Sequence, residues 1–516
     1  MTFTIGDAVT KKCSYETALD LTGFGKYNIG MLVSCYLLIL TMNMDIFSVS
    51  VVVPAIACDM SLNVAQQGIL TAAPLISVIL SSFGWGLAAD MIGRRKTLLI
   101  TMPIGFIMGV AASMAPSYIT LTVFKFFNVM FTSAANAAAL VLMGESVPRR
   151  HRNRIMFFLA SATTIVLCLI CSIALPLLKL GFHYEIPWLN VVYRPWRLLL
   201  QIVILPGVAA IIYLLFLEES PKFLLSHKRD QEAIVALQKI FQSNTGNKMD
   251  AYSATHVYLD ETLVVNSTET SALKKIWNQI APLFKPPLLK NSVILYYLLL
   301  CAYMTATGIA MWVPTIANAF FIGEDTTGKT FCEVASRSTH LNTTMSSDCD
   351  NVIQPGMLYA VITYSVLGSS LTILLSFIVG PLGKKKLTLV VFVVASLSGM
   401  LLLFVRIPLL SLVLLYFFLY VAQILGNVNA YLVDLNPTHL RGMASCLSVV
   451  VARGFGFFSV QIFGSFLEDY CLPMLGGYVA LVISGLLVAL FLPPDSQPKK
   501  SDNEEIKNGT ALTENS

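Results

Sequence analysis

Three ionisable side chains, Asp45, Lys125 and Arg453, stand inside apolar runs long enough to cross a membrane. A charge at the centre of a bilayer costs roughly 2.5–3.5 kcal/mol on insertion scales, so each must face a partner or a water-filled cavity. At 1.5 Å rise per residue, Asp45 lies roughly 12 Å below the outer end of its run and Lys125 roughly 9 Å below the outer end of its own, so the two can pair. Arg453, roughly 15 Å from the inner end of its run, meets no opposite charge at its depth in its own half of the chain. Two readings stay open: an ion pair plus an arginine bonded to backbone carbonyls, or charges lining a solute pathway.

Other motifs carry less chemistry. GEDTTGKT, Gly323 to Thr330, is a full match to the phosphate-binding loop pattern. That chemistry needs a buried strand before the loop and a helix after it; here an apolar run precedes and a polar stretch follows, so nucleotide binding is not expected. Cys168 and Cys171 lie in an apolar run without histidine at ligand spacing, which reads as core packing. None of the six histidines forms an H-E-x-x-H pair, and no G-x-S-x-G elbow occurs. Hydrolase and metalloenzyme chemistry therefore has no anchor, and neither an enzyme nor a cofactor or metal is expected. The stretch near 321–355 carries Cys332, Cys349 and the sequon Asn342-Thr343-Thr344. On the exoplasmic side a Cys332–Cys349 disulfide would close a short loop around a glycosylated Asn342. Asn266 and Asn508 also head sequons, but on the cytosolic side, where they are expected to stay unmodified.

The elements that must position these residues follow from composition. Of 516 residues 56% are hydrophobic and only 12% charged, with a mean hydropathy of +0.73. That is too little polar surface for a soluble protein of this size, which excludes a cytosolic enzyme, a secreted disulfide scaffold and a nucleic-acid binder. Against a hydrocarbon core about 30 Å thick, twelve spans are predicted near 31–53, 66–89, 97–115, 119–144, 155–178, 197–217, 291–320, 356–381, 387–406, 409–433, 443–467 and 474–492. The formal charge of +5 is carried in short clusters: Lys11, Lys12 and Lys26 before span 1, Arg94, Arg95 and Lys96 after span 2, Arg149, Arg150, Arg152 and Arg154 after span 4, and Lys384, Lys385 and Lys386 after span 8. The positive-inside rule then places both termini in the cytosol, with no cleaved signal peptide expected. Residues 1–30 form a cytosolic segment, 31–217 a first six-helix half, 218–290 a cytosolic linker with amphipathic helices, 291–492 a second half, and 493–516 a disordered tail. The expected fold is an all-α polytopic membrane protein.

The halves repeat. Gly93 in GLAADMIGRRK and Gly383 in GPLGKKK are counterparts, and Glu145-x-x-Pro148-x-x-x-Arg152 recurs as Asp434-x-x-Pro437-x-x-x-Arg441. Two loop signatures at nearly one offset argue for pseudo-symmetric six-helix halves, the plan of an alternating-access carrier. Gly86, Asp90, Gly93, Arg94 and Arg95 resemble the G-x-x-x-D-x-x-G-R-[RK] motif of the major facilitator superfamily. Glu218 to Leu225, EESPKFLL, is similar to the signature after span 6 in its sugar, organic-ion and synaptic-vesicle branches. With WRLLLQIVILPGV, GIAMWVP and YLVDLNPTHLRG, the likeness is greatest to the synaptic vesicle glycoprotein 2 and related-protein branch, near the organic ion transporters. Gly380 and Lys384 depart from the motif in the second half, so its charge latch is not duplicated there.

The resemblance implies that spans 1, 4, 7 and 10 line a central pathway with span 11 beside it, so that Asp45, Lys125 and Arg453 face one volume. It adds Trp312, Tyr420 and Asn427 as candidates for the apolar wall and substrate hydrogen bonds. It also makes Gly86, Asp90, Gly93, Arg94, Arg95, Glu145, Arg152, Asp434 and Arg441 a conformational latch. Two cations against one carboxylate favour an organic anion or zwitterion, with Arg453 on the anionic group and Asp45 either bound to Lys125 or taking up a coupling proton. The expected function is secondary active transport of a small organic ion by a bilayer-embedded monomer, in the plasma membrane or a vesicle membrane. The alternative is a transport-incompetent protein of the same fold, kept as a trafficking or binding module. Glycosidase treatment is expected to increase the gel mobility of the wild type and to leave Asn342→Gln unchanged; identical mobility shifts in the two would show the sequon unused.

Overall fold

A computed structural model describes residues 11–259, 281–321, 328–336, 353–436 and 438–493, with some helical positions described by their backbone alone. It has eleven helices long and apolar enough to cross a membrane, or twelve when one bent pair counts as a single span. Spans 1 to 6 are Lys26–Met60, Val64–Ile92, Arg94–Ser113, Tyr118–Ser146, the pair Arg149–Thr163 and Val166–Leu180 bent by 43°, and Pro195–Leu214. Spans 7 to 12 are Leu289–Phe321, Pro355–Val379, Lys384–Leu402, Pro408–Leu432, Leu447–Phe466 and Cys471–Ala489. Backbone groups have no water to bond in hydrocarbon, so closed helical ladders are the available solution for these apolar runs. Span 1, at 35 residues, is roughly 52 Å long and so projects beyond the ~30 Å core. The side of the molecule that carries the linker is called the linker face below.

The internal repeat is visible in the backbone. Gly93 ends span 2 at φ +108° and Gly383 ends span 8 at φ +86°, and the next helix starts at once in each case. Only glycine takes up these angles without strain. A Cβ at Gly93 would also lie 2.5 Å from Glu219.

Residues outside the spans form a second core on the linker face. Strand β1 (Lys11–Ser14) pairs in parallel with the linker strand Ala254–Tyr258. Tyr15 and Leu19 of helix α1 (Tyr15–Leu21) are buried with Phe223, Leu237 and Tyr252 of the linker. Two strands alone are marginal, so this core is what holds the ribbon. It is fastened to the first half by Arg152–Glu16 at 2.9 Å, by Asn244 Nδ2 donating to Asn28 Oδ1 at 2.6 Å, and by Tyr15 OH donating to the Glu145 carbonyl. DQEAIVALQKIF is a helix, Asp230–Thr245, buried on one side against this core. Residues 260–280, the sequons at Asn266, Asn342 and Asn508, and the tail lie outside the described residues, as does most of GEDTTGKT. Its Thr330 caps a five-residue helix, Phe331–Ala335, accepting from the Glu333 amide.

The disulfide expectation needs correction. Cys332 pairs with Cys471, 139 residues away, and not with Cys349, which lies outside the described residues. The short helix Phe331–Ala335 turns Cys332 toward the first residue of span 12 instead of along its own loop. Cys58, at the outer end of span 1, is also disulfide-bonded, while Cys168 and Cys171 are free, consistent with packing. With a protease site inserted between spans 9 and 10, the two fragments are expected to stay joined on a non-reducing gel and to separate on reduction. Cys332→Ser should abolish that retention; fragments that still stay joined would contradict the pairing.

Candidate functional site

Asp45 of span 1 and Lys125 of span 4 meet inside the first half. Lys125 Nζ donates to Asp45 Oδ1 at 3.3 Å and to Asn128 Oδ1 at 2.9 Å. Asn128, three residues on and therefore on the same helix face, donates from Nδ2 to Asp45 Oδ2 at 3.4 Å and to the Gly105 carbonyl of span 3 at 2.9 Å. A Cβ at Gly105 would come within 2.6 Å of Thr132, so glycine is what lets span 3 come this close to span 4. The side chains of Asp45 and Lys125 are 0% and 2% exposed. Their charges cancel, and an amide holds both: the arrangement in which a buried pair survives its desolvation cost. Asn128 was not singled out from sequence; its spacing of three from Lys125 was the available signal.

Arg453 stands apart from that pair. It is half-buried on span 11, and among the described residues no carboxylate bonds to it; Tyr303 of span 7 is the group it meets electrostatically. Tyr303 opens a π-helical turn, Tyr303–Thr307, in the middle of span 7. Such turns mark functional sites more often than ordinary helix does. Span 11 is pressed against the turn, with Ser459 Oγ donating to the Met304 carbonyl and sharing a hydrogen bond of 2.7 Å with Tyr478 OH. Further along span 7, Trp312 Nε1 donates to the Val460 carbonyl at 3.2 Å, and its ring packs 6.1 Å from Phe463. Trp312 is therefore wedged between spans 7 and 11. Asn427 Nδ2 donates to Thr388 Oγ1 of span 9 at 3.3 Å, and Tyr420 is buried at the start of a 3-10 turn in span 10, next to the π turn.

On the linker face the latch residues are engaged within the first half and the linker. Arg94 bridges Asp90 at 3.0 Å and Glu145 at 3.2 Å. Arg94 is 11% exposed and Asp90 69%, so the Asp90 carboxylate lies largely in solvent. Arg95 donates to the last carbonyls of span 6, Leu214 at 3.0 Å and Leu215 at 2.7 Å. Glu219 accepts from the amides of Arg95 and Lys96 at 2.9 and 3.2 Å, capping the positive end of span 3. Ser220 Oγ donates to Glu145 Oε2 at 2.5 Å. Arg152 goes to Glu16, not to Glu145. Nothing lies within 4 Å of a Cβ placed at Gly86. The side chains of Asp434 and Arg441 are outside the described residues.

Two hydrogen bonds join the halves among the described residues. Gln461 Nε2 of span 11 donates to the Gly68 carbonyl of span 2 at 3.1 Å, near the face opposite the linker. The Cys168 amide donates to Ser365 Oγ of span 8 at 3.3 Å, about halfway across. The bend in span 5 frees that amide, which falls in the first turn of the second helical piece. Trp312 touches the same junction, 3.6 Å from a Cβ placed at Gly68.

Known proteins share the family and the fold. The model for the Major Facilitator Superfamily matches residues 35–460. The putative transporter SVOPL of Mus musculus is 27% identical over 242 residues, 46% of this chain and 45% of its own. Organic cation/carnitine transporter 7 of Arabidopsis thaliana is 24% identical over 229 residues, 44% of this chain and 43% of its own. The aligned stretch thus spans less than half the length of either relative. Among solved structures, the inward-open conformation of the xylose transporter XylE from E. coli matches in fold, with a TM-score of 0.63 at 16% identity over 93% of this chain and 99% of that one. The twelve apolar spans, the repeated glycine corner and a family match over most of the sequence lead to one assignment: this chain belongs to the major facilitator superfamily.

Proposed function

We propose that the protein is a secondary carrier that moves a small organic anion or zwitterion by alternating access, here opened toward the linker face, with that face in the cytosol. The observation that carries the substrate sign is the contrast between the two charged clusters. Asp45 and Lys125 neutralise each other in a closed pocket, whereas Arg453 is half-buried beside a π turn with no carboxylate bonded to it among the described residues. A planar guanidinium left in that position suits a carboxylate, sulfate or phosphate supplied by the solute. Carnitine, named for the Arabidopsis relative, pairs a carboxylate with a quaternary ammonium, and Tyr303 offers an aromatic face for the second group. Of the two roles open to Asp45, its bonds to Lys125 and Asn128 support the paired one over proton carriage.

The direction of opening is supported by Gln461–Gly68 near the far face and by the exposure of Asp90 on the linker face. In the opposite state Asp90 and Arg94 would turn to span 11, and Asp90→Asn would disfavour that state.

In proteoliposomes, Arg453→Gln is expected to lower uptake of an anionic or zwitterionic substrate by tenfold or more, with Arg453→Lys intermediate. Uptake of simple cations that survives loss of Arg453 would reverse the sign of the cavity, and absence of flux for every solute class would favour the transport-incompetent reading. The neutral pair predicts a different pattern. Lys125→Met or Asp45→Asn alone leaves a buried charge or amide unmatched and should cost about 3–5 kcal/mol, read as lost thermal stability in detergent. The double variant should recover most of it and keep the substrate preference. Single and double variants of equal stability would show that the pair is not a brace.

A further inference from the structure

On the linker face, where spans 2 and 3 meet the linker, lies a pocket of about 380 Å³. Met91 and Ile92 from the end of span 2 and Ile100 from span 3 form its apolar side, while Lys96, His227 and Arg229 form its basic side. Phe223 closes the back, its ring 4.2 Å from that of His227. We propose that this pocket binds the headgroup of an anionic phospholipid from the leaflet on the linker side, with the acyl chains running along Ile100 and the outer surfaces of spans 2 and 3.

Three observations point there. The first is charge. Lys96 makes no ion pair among the described residues, and Arg229 pairs with Glu232 in an exposed bridge of 2.6 Å that an incoming phosphate can replace. Glu219 already accepts from the amides of Arg95, Lys96 and Ser220. His227 Nδ1 lies 3.1 Å from the Phe223 carbonyl, to which it donates, and this holds the ring in the pocket.

The second observation is the position of the basic side relative to the membrane. Lys96 and Ile100 are one turn apart on span 3, so the ammonium and the apolar side chain share a face. Ile100 is 54% exposed and continues outward into Ile107, while Met91 continues into Leu87 on span 2, all of them exposed. These are bilayer-facing surfaces ending in cations at the depth where headgroups lie. The third is the distinction between ligand sources. A free phosphate would bind the same cations but would leave Met91, Ile92 and Ile100 unused. A phospholipid uses both sides, and its headgroup would join span 3 to the linker segment after Phe223.

The test is native mass spectrometry of the full-length protein in detergent with an equimolar mixture of dioleoyl phosphatidic acid and dioleoyl phosphatidylcholine. The wild type is expected to retain the phosphatidic acid preferentially. Since each surface Lys or Arg contributes about fivefold in attraction to an anionic leaflet, Lys96→Gln/Arg229→Gln should cut the preference by tenfold or more. Lys96→Arg/Arg229→Lys, which keeps the charge, should preserve it and shows that loss in the Gln pair is not misfolding. Equal retention of the two lipids by the wild type, or a preference unchanged in the Gln pair, would overturn the site. Displacement of the lipid by inorganic phosphate at equal concentration would overturn the lipid as its occupant.

Discussion

A charge placed in hydrocarbon must be neutralised by something the protein itself puts beside it, and the interior of this molecule is arranged around that requirement. Asp45 and Lys125 come from spans 1 and 4, and Asn128 ties both to the backbone of span 3. Three helices are thereby fixed in register by one polar cluster. Removing either charge would expose the other, so the cluster acts as a unit. It is self-contained and carries no net charge, and Arg453 on span 11 stands apart from it.

The same requirement takes a milder form at the linker face, where helix ends present unsatisfied amides and carbonyls. Glu219 caps the start of span 3 and Arg95 the end of span 6, so two residues of neighbouring motifs settle two helix termini. Arg94, Glu145 and Ser220 join that arrangement, and Tyr15 and Glu16 bring in the N-terminal segment. The signature after span 6 therefore acts as a connector. It fastens the linker core to the helices whose ends it caps, and any rearrangement of the first half carries the linker core along.

In the second half, backbone of altered pitch stands beside Arg453. A π turn in span 7 and a 3-10 turn in span 10 lie next to each other, and span 11 bonds to the first of them through Ser459. Turns of altered pitch can change hand-holds at low cost, because their backbone bonds are already displaced from the regular ladder. Under the proposed function, a solute anion drawn to Arg453 would lie beside the π turn of span 7. Binding and gating would then share one element.

Much of this was legible in the sequence because it is local. Apolar run length sets the spans, and Gly93 and Gly383 announce the same corner twice. The depth arithmetic for Asp45 and Lys125 anticipated their pairing, since rise per residue is constant in a helix. What only the tertiary structure decided is non-local. Asn128 bonding to Asp45 and to the Gly105 carbonyl, Cys332 with Cys471 in place of Cys349, and Lys11–Ser14 pairing with Ala254–Tyr258 all join residues whose separation along the chain says nothing about their separation in space. Asn427 and Trp312 illustrate the same limit. Their helices were foreseen, but the rotation that turns Asn427 to span 9 and Trp312 to span 11 is set by how neighbouring helices pack.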